Sequence, residues 1–171
     1  MATSTYNLIA SQVVGSGGAS SVDFSSIPQT YTDLKLVMSV RCNNAAYYSK
    51  SEISFNGSTS NQVFRDLTGD GSSATSSTAS NFQFIGVGNN NTANIFSNTE
   101  LYIPNYTSSN YKCASLETND ENNSSAAGAA YVEMQALLWS STAAINEITI
   151  TGITGNFVQY STFYLYGIIN H

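Results

Sequence analysis

The chain has 171 residues, of which 42% are hydrophobic and 12% aromatic but only 9% charged, far below the quarter or so usual in globular domains. That apolar content excludes a disordered chain, and the length suits one domain, residues 1–171, around one core. A net charge of −6, with three lysines and two arginines scattered along the sequence, leaves no basic stripe to neutralise phosphates, so nucleic-acid binding is not expected.

Polarity is carried by Ser, Thr and Asn, and the apolar residues alternate with them at period two. "YNLIASQVV" and "SVDFS" are expected strands flanking a wide turn or hairpin, "GSGGAS". "DLKLVMSVRC" (33–42) sets Leu34, Leu36, Met38 and Val40 on one face and Lys35, Ser39 and Arg41 on the other. "EISFNGS" ends in Asn56-Gly57, which favours the positive φ angles of a hairpin turn, with "NQVFRDL" as the expected partner strand. "TGDGSSATSSTAS" (68–80) has no apolar residue larger than Ala and is expected to be a long surface loop.

"NFQFIGVG" is the next strand, and "NTELYIPNY" another, stopped by Pro104, which has no N–H to donate to a ladder. "YKCASLET" runs to the polar turn "NDENNSS". "YVEMQALLW" is the one segment whose period leaves helix and strand open. "INEITITGI" leaves Ile145 outside its alternation, and "GNFVQYSTFYLYGIINH" (155–171) is expected to be one strand, with Phe163 and Leu165 inside and Tyr160, Tyr164 and Tyr166 on the opposite face. Roughly ten short strands separated by turns predict an all-β, single-domain, two-sheet antiparallel sandwich of jelly-roll type.

Signatures of catalysis are scarce. General acid-base work at neutral pH favours histidine, and the single one is the terminal His171, which argues against Ser-His-Asp, Cys-His and zinc centres. Carboxylates remain as glycosidase candidates, Asp66 with Asp70 and Asp120 with Glu121, but both pairs fall in or beside polar loops. Residues 118–123 offer calcium-type oxygens without a known loop spacing. "GSGGAS" lacks the spacing and the lysine of a phosphate loop. The expectation is therefore a non-enzyme with no cofactor and no metal. No apolar run approaches the ~20 residues of a membrane helix, and the amino terminus lacks a secretory signal pattern. In a reducing compartment Cys42 and Cys113 are expected as buried free thiols, and the sequons at Asn56, Asn90, Asn105, Asn122 and Asn123 as by-products of Asn-rich turns.

Eleven tyrosines exceed what one small core needs, and tyrosine is enriched at interfaces, where a ring can be buried while its hydroxyl finds a partner. Tyr160, Tyr164 and Tyr166 are the proposed subunit or capsid contact; Tyr102 and Tyr106 are an alternative ligand surface. Together, "FSSIPQTYTDLKLVMSVR" (24–41), "ISFNGS" (53–58), "NTELYIPNY" (98–106) and "LLWSSTAAINEITITGITGNFVQYSTFYLYGI" (137–168) resemble a group of tailed-bacteriophage virion proteins. Members are capsid decoration (cement) proteins or tail-fibre and receptor-binding domains. The resemblance implies a β-sandwich on the outer capsid surface, made in the host cytoplasm. It further implies a homotrimer on the major capsid protein, or alternatively an adhesin for a host glycan. It implies no active-site residues.

Overall fold

The computed structural model describes residues 4–123 and 128–169, and among these every regular element is a strand. In chain order they are β1 (Tyr6–Val13), β2 (Ser21–Phe24), β3 (Asp33–Ser39), β4 (Tyr48–Phe55), β5 (Gln62–Gly69), β6 (Ala74–Ser80), β7 (Phe82–Val87), β8 (Asn98–Ile103), β9 (Lys112–Asn119), β10 (Val132–Trp139), β11 (Ile148–Gly152) and β12 (Thr162–Ile168). They form two antiparallel sheets, an eight-stranded one ordered β1-β12-β3-β8-β9-β10-β5-β6 and a four-stranded one ordered β2-β11-β4-β7. His171, the lone imidazole, lies outside the described residues.

The core fills the space between the sheets. Leu34, Leu36 and Met38 of β3, Leu101 and Ile103 of β8, and Phe163 and Leu165 of β12 face Ile53 and Phe55 of β4, Phe82 and Phe84 of β7, and Ile148 and Ile150 of β11, all essentially inaccessible to solvent. Phe55 joins the layers edge-on, its ring 5.5 Å from Trp139 across the core and 5.6 Å from Phe82 beside it. Such geometry suits the ring quadrupole and adds to the area term. Ile145, outside any strand, is fully buried.

Eight strands against four leaves β7 as a free edge beneath the larger sheet, and its backbone groups need partners there. Side chains supply them. Gln62 of β5 accepts from Phe82 N (2.9 Å), Glu133 of β10 accepts from Ile85 N (3.1 Å), Gln135 donates to Gln83 O (2.6 Å), and Thr118 of β9 donates to Ile85 O (3.0 Å). Four polar side chains thus stand where another strand would pair. This is why β5, β9 and β10 turn polar residues inward, and in β5 and β10 it inverts the pattern: Glu133 and Gln135 are buried while Val132, Met134 and Leu138 are exposed.

Several expectations are corrected. The Asn56-Gly57 turn forms with positive φ at both residues (52° and 72°), but β4 and β5 belong to different sheets, so the turn passes the chain between layers instead of closing a hairpin. Asn56 also clips the 144–147 segment, donating to Ala144 O (2.8 Å) and accepting from Asn146 N (2.9 Å). The true hairpin is β5–β6, so all of the expected loop 68–80 except residues 70–73 is strand. Asp70 closes it by accepting from Ser72 N (2.9 Å) and Ser73 N (2.7 Å), with Gly71 at φ 84°. "YVEMQALLW" is strand β10, not helix. The 155–171 stretch is not one strand: Phe157 is in the core, Tyr160 sits in a turn at φ 74°, and β12 starts at Thr162.

Candidate functional site

The outer face of the eight-stranded sheet is the most extensive surface that the fold presents. Register defines its rows. One runs Leu8, Tyr166, Lys35, Tyr102, Ser115, Ala136 and Arg65; the next runs Ser11, Tyr164, Val37, Glu100, Glu117, Met134 and Leu67. The β1–β8 half is thus aromatic and polar, and the β9–β10–β5 half is apolar.

In the aromatic half, Lys35 lies between Tyr166 and Tyr102 and pairs with Glu100 at 2.7 Å, a bond that holds its pKa above the usual lysine value. The Tyr102 hydroxyl donates to Asp33 Oδ2 (2.7 Å), chiefly for which reason its pKa is pushed up to about 12. Tyr6, Lys35, Glu100, Tyr102, Ser115 and Glu117 line a shallow polar depression. Tyr164 and Tyr166 are half-buried on this face, as expected of β12, whereas Tyr160 is 67% exposed in its turn and shares no face with them. Tyr106 is no ligand surface. It is fully buried and its hydroxyl donates to Pro28 O. Its neighbours in "IPNY" gave no warning, because a strand stopped by Pro104 leaves the following ring free to fold under the sheet.

In the apolar half, Val63, Leu67, Val132, Met134 and Leu138 are each between 41% and 56% exposed. Cys113, expected inside, is exposed on this face beside Leu138; Cys42 is buried, and both thiols are free. These residues went unnoticed in the sequence because the sealing of β7 hides which side of β10 faces in.

The carboxylates serve the scaffold. Asp66 accepts from Ser77 N and Oγ at 2.7 Å each and does not meet Asp70, whose pKa drops to about 2 through the two turn N–H groups. Asp120 is buried and accepts from Tyr131 N, while exposed Glu121 accepts from Asn122 N and Asn123 N. The pair that shares a cleft, about 180 Å³ between the sheets, is Asp66 with Glu133, which no sequence spacing announced. Burial raises the Glu133 pKa, but its carboxylate is already committed to Ile85 N and Gln135. Among the described residues no group of three or more His, Cys, Asp or Glu could hold a metal ion, and no helix is long and apolar enough to cross a membrane.

Asp120 makes a titration visible. Burial pushes its pKa up to about 6, and one of its carboxylate oxygens has no hydrogen-bond partner. A carboxyl whose folded pKa lies above the unfolded value, about 3.9, takes up its proton more readily in the folded chain, so stability rises as pH falls from about 7 to about 4. Thermal unfolding across that range is expected to show the gain, and Asp120→Asn to reduce it, the remainder coming from Glu133, whose pKa burial also raises; a parallel wild-type and variant profile would remove the assignment.

No protein-family model matches the chain, and no curated protein matches it at a significant level.

Proposed function

We propose that this chain is a structural protein of a tailed-bacteriophage virion, a homotrimeric decoration protein that docks on the major capsid protein and stabilises the head from outside. The observation that carries the reading is the outer face of the eight-stranded sheet, broad and sparingly charged, with large apolar side chains turned to solvent. Free-standing domains seldom leave such a face uncovered. We read the winding as jelly-roll-like: β2, β11, β4 and β7 form one sheet, β3, the β8–β10 meander, β5 and β6 the other, and β1 and β12 extend the β3 side. That architecture recurs in viral capsid proteins and in lectins.

The segments that carry the resemblance supply the scaffold. Ile27 is core, Pro28 receives the Tyr106 hydroxyl, and the Tyr31 ring lies against Gly167, where a Cβ would meet it at 2.3 Å. The tyrosine half of the face, Tyr102, Tyr164 and Tyr166, is the capsid contact in this reading, since rings with polar tips suit an interface.

Counting copies on purified particles tests it. A decoration protein is present in hundreds and is labelled by immunogold over the head; label confined to the tail would end this reading. The second reading, a glycan-binding adhesin, draws on the depression between Tyr6 and Tyr102, and predicts glycan-array hits that Tyr102→Ala abolishes.

A further inference from the structure

We infer that copies of this chain close into a ring about an axis running along the outside of β10, with Arg65 of each copy set against Glu117 of the next. The inference deepens the assembly reading by naming the partner of the apolar half of the face, a second copy of the same chain. It depends on that reading only in taking the face to be an interface, not in where the assembly resides.

Three observations converge. First, β10 turns Val132, Met134, Ala136 and Leu138 outward, and β5 adds Val63 and Leu67, so an apolar ridge runs along two adjacent strands. The inward positions are committed to sealing β7, but that demand says nothing about the outward ones, where Ser or Thr would serve a solvated sheet as they do on β6. The ridge also carries an exposed free thiol, Cys113.

Second, the flanks of the ridge carry opposite charges. Arg65 stands on the β5 side, one strand from β10, and has no ion pair among the described residues. Glu117 stands on the β9 side, one strand away in the other direction. Glu117 is directly opposite Glu100 on β8, a like-charged cross-strand pair, and the neighbouring cation, Lys35, bonds Glu100. Like charges so placed destabilise a sheet. The chain therefore holds a cation with no ion pair among the described residues on one side of an apolar strand and, on the other side, two acids that share one lysine. Rotation about an axis along that strand carries the basic flank of one copy onto the acidic flank of the next, and a ring of identical contacts closes without leaving either charge over. A partner of uniform charge would satisfy only one flank, and an apolar surface neither.

Third, the size fits a modest contact. The four strands β9, β10, β5 and β6, about 4.8 Å apart with residues rising about 3.4 Å each, make roughly 450 Å² per copy, about half of a standard partner's share, which suits assembly at micromolar concentration and leaves the β1–β8 half for the capsid. The apolar ridge forms its centre and the charges its rim, the usual anatomy of such contacts.

Light scattering on the purified full chain tests the ring. The wild type is expected to be multimeric at micromolar concentration, and Arg65→Glu or Glu117→Arg to weaken assembly about tenfold or more, while their circular dichroism stays unchanged because both side chains are exposed. The doubly exchanged chain, Arg65→Glu with Glu117→Arg, is expected to recover the wild-type mass. Mixing the two single variants reads the symmetry: alternating partners satisfy every contact in a two-fold ring and leave one like-charged contact in a three-fold ring. A thiol reagent is expected to modify Cys113 in the charge-reversed variants and to be excluded in the assembly, buried Cys42 staying silent in both. A wild type that stays monomeric, or single reversals that leave its mass unaltered, would overturn the ring. A chain that assembles as described yet is missing from virions would refute only the proposed location.

Discussion

Replacing Arg41 with Met is expected to lower the stability of the fold by about 3–5 kcal/mol, a large part of the 5–15 kcal/mol by which domains are stable at all. The buried guanidinium holds the 88–97 connection to the sheet. Nη1 donates to Thr92 O (2.7 Å) and Ile95 O (3.2 Å), and Nη2 to Asn89 O and Asn91 O (3.2 Å each). Burial lowers the Arg41 pKa, yet a guanidinium remains charged throughout the physiological range, and the carbonyls compensate its lost hydration. Methionine fills similar space but offers no donor, so four carbonyls lose a charged partner together; each bond to a charged group is worth about 1.5–3 kcal/mol, with little additivity within one cluster. Lysine should recover only a minor share, because one ammonium cannot reach carbonyls served by two separate nitrogens. Urea unfolding measures both, and a loss below about 1 kcal/mol for Arg41→Met would refute this role.

Arg41 also shows what period-two reading could and could not reach. The alternation of 33–42 correctly placed it opposite Leu34, Leu36, Met38 and Val40, and that placement suggested a solvated charge. Beyond the end of β3 the face is no longer open: Asn89 to Ile95 fold over it, and the side chain becomes the anchor of a loop fifty residues away in sequence. The class of fold, most strands and the core partners Phe163 and Leu165 were legible because each depends on local alternation. The β5–β6 hairpin was legible in principle, since Asp70-Gly71 is a turn signal as good as Asn56-Gly57. It was masked by the lack of bulky residues on β6, whose side chains are all exposed and need none. Conversely, Asn56-Gly57 made its turn but not its hairpin, because turn chemistry fixes a reversal of direction and not which sheet receives the next strand.

The apolar outer face was hidden for a related reason. In "VEMQALLW" a hydrophobic pattern would direct Val132 and Met134 inward, and the fold does the opposite because the free edge of β7 needs Glu133 and Gln135. The demand for backbone hydrogen bonds competes with burial on equal terms at those positions: an unpaired amide in the interior costs about 1–3 kcal/mol, close to what exposing a Val or Met forfeits. Only the topology, which sets an eight-stranded sheet over a four-stranded one, reveals that demand. The tyrosines expected at an interface divide accordingly. Tyr102, Tyr164 and Tyr166 lie on the outer face, Tyr106 is core and Tyr160 belongs to a turn.

Lys112→Met tests the same principle at the other buried cation and carries its own reporter. Lys112 opens β9 facing inward and is 2% exposed; its ammonium donates to Ser108 O (2.7 Å), Ala143 O (2.5 Å) and Ser141 O (3.4 Å), tying the turn before β9 to the segment after β10. It lies 5.4 Å from the ring centre of Trp139, the one tryptophan of the chain. Desolvation lowers its pKa, while three carbonyl acceptors favour the charged form. Methionine keeps the length and removes both the donors and the cation over the indole, for an expected cost of about 3–4 kcal/mol. Trp139 emission from the still-folded variant should shift, since the charge beside the indole is gone, whereas folded Arg41→Met should keep the wild-type spectrum because its guanidinium serves the 89–95 carbonyls instead. If Lys112→Met unfolds like wild type and leaves the emission unchanged, the carbonyl cage contributes nothing, and the 141–143 segment is held by its neighbours, Ser140 on Asn61 O before it and Asn56 on Ala144 O after it.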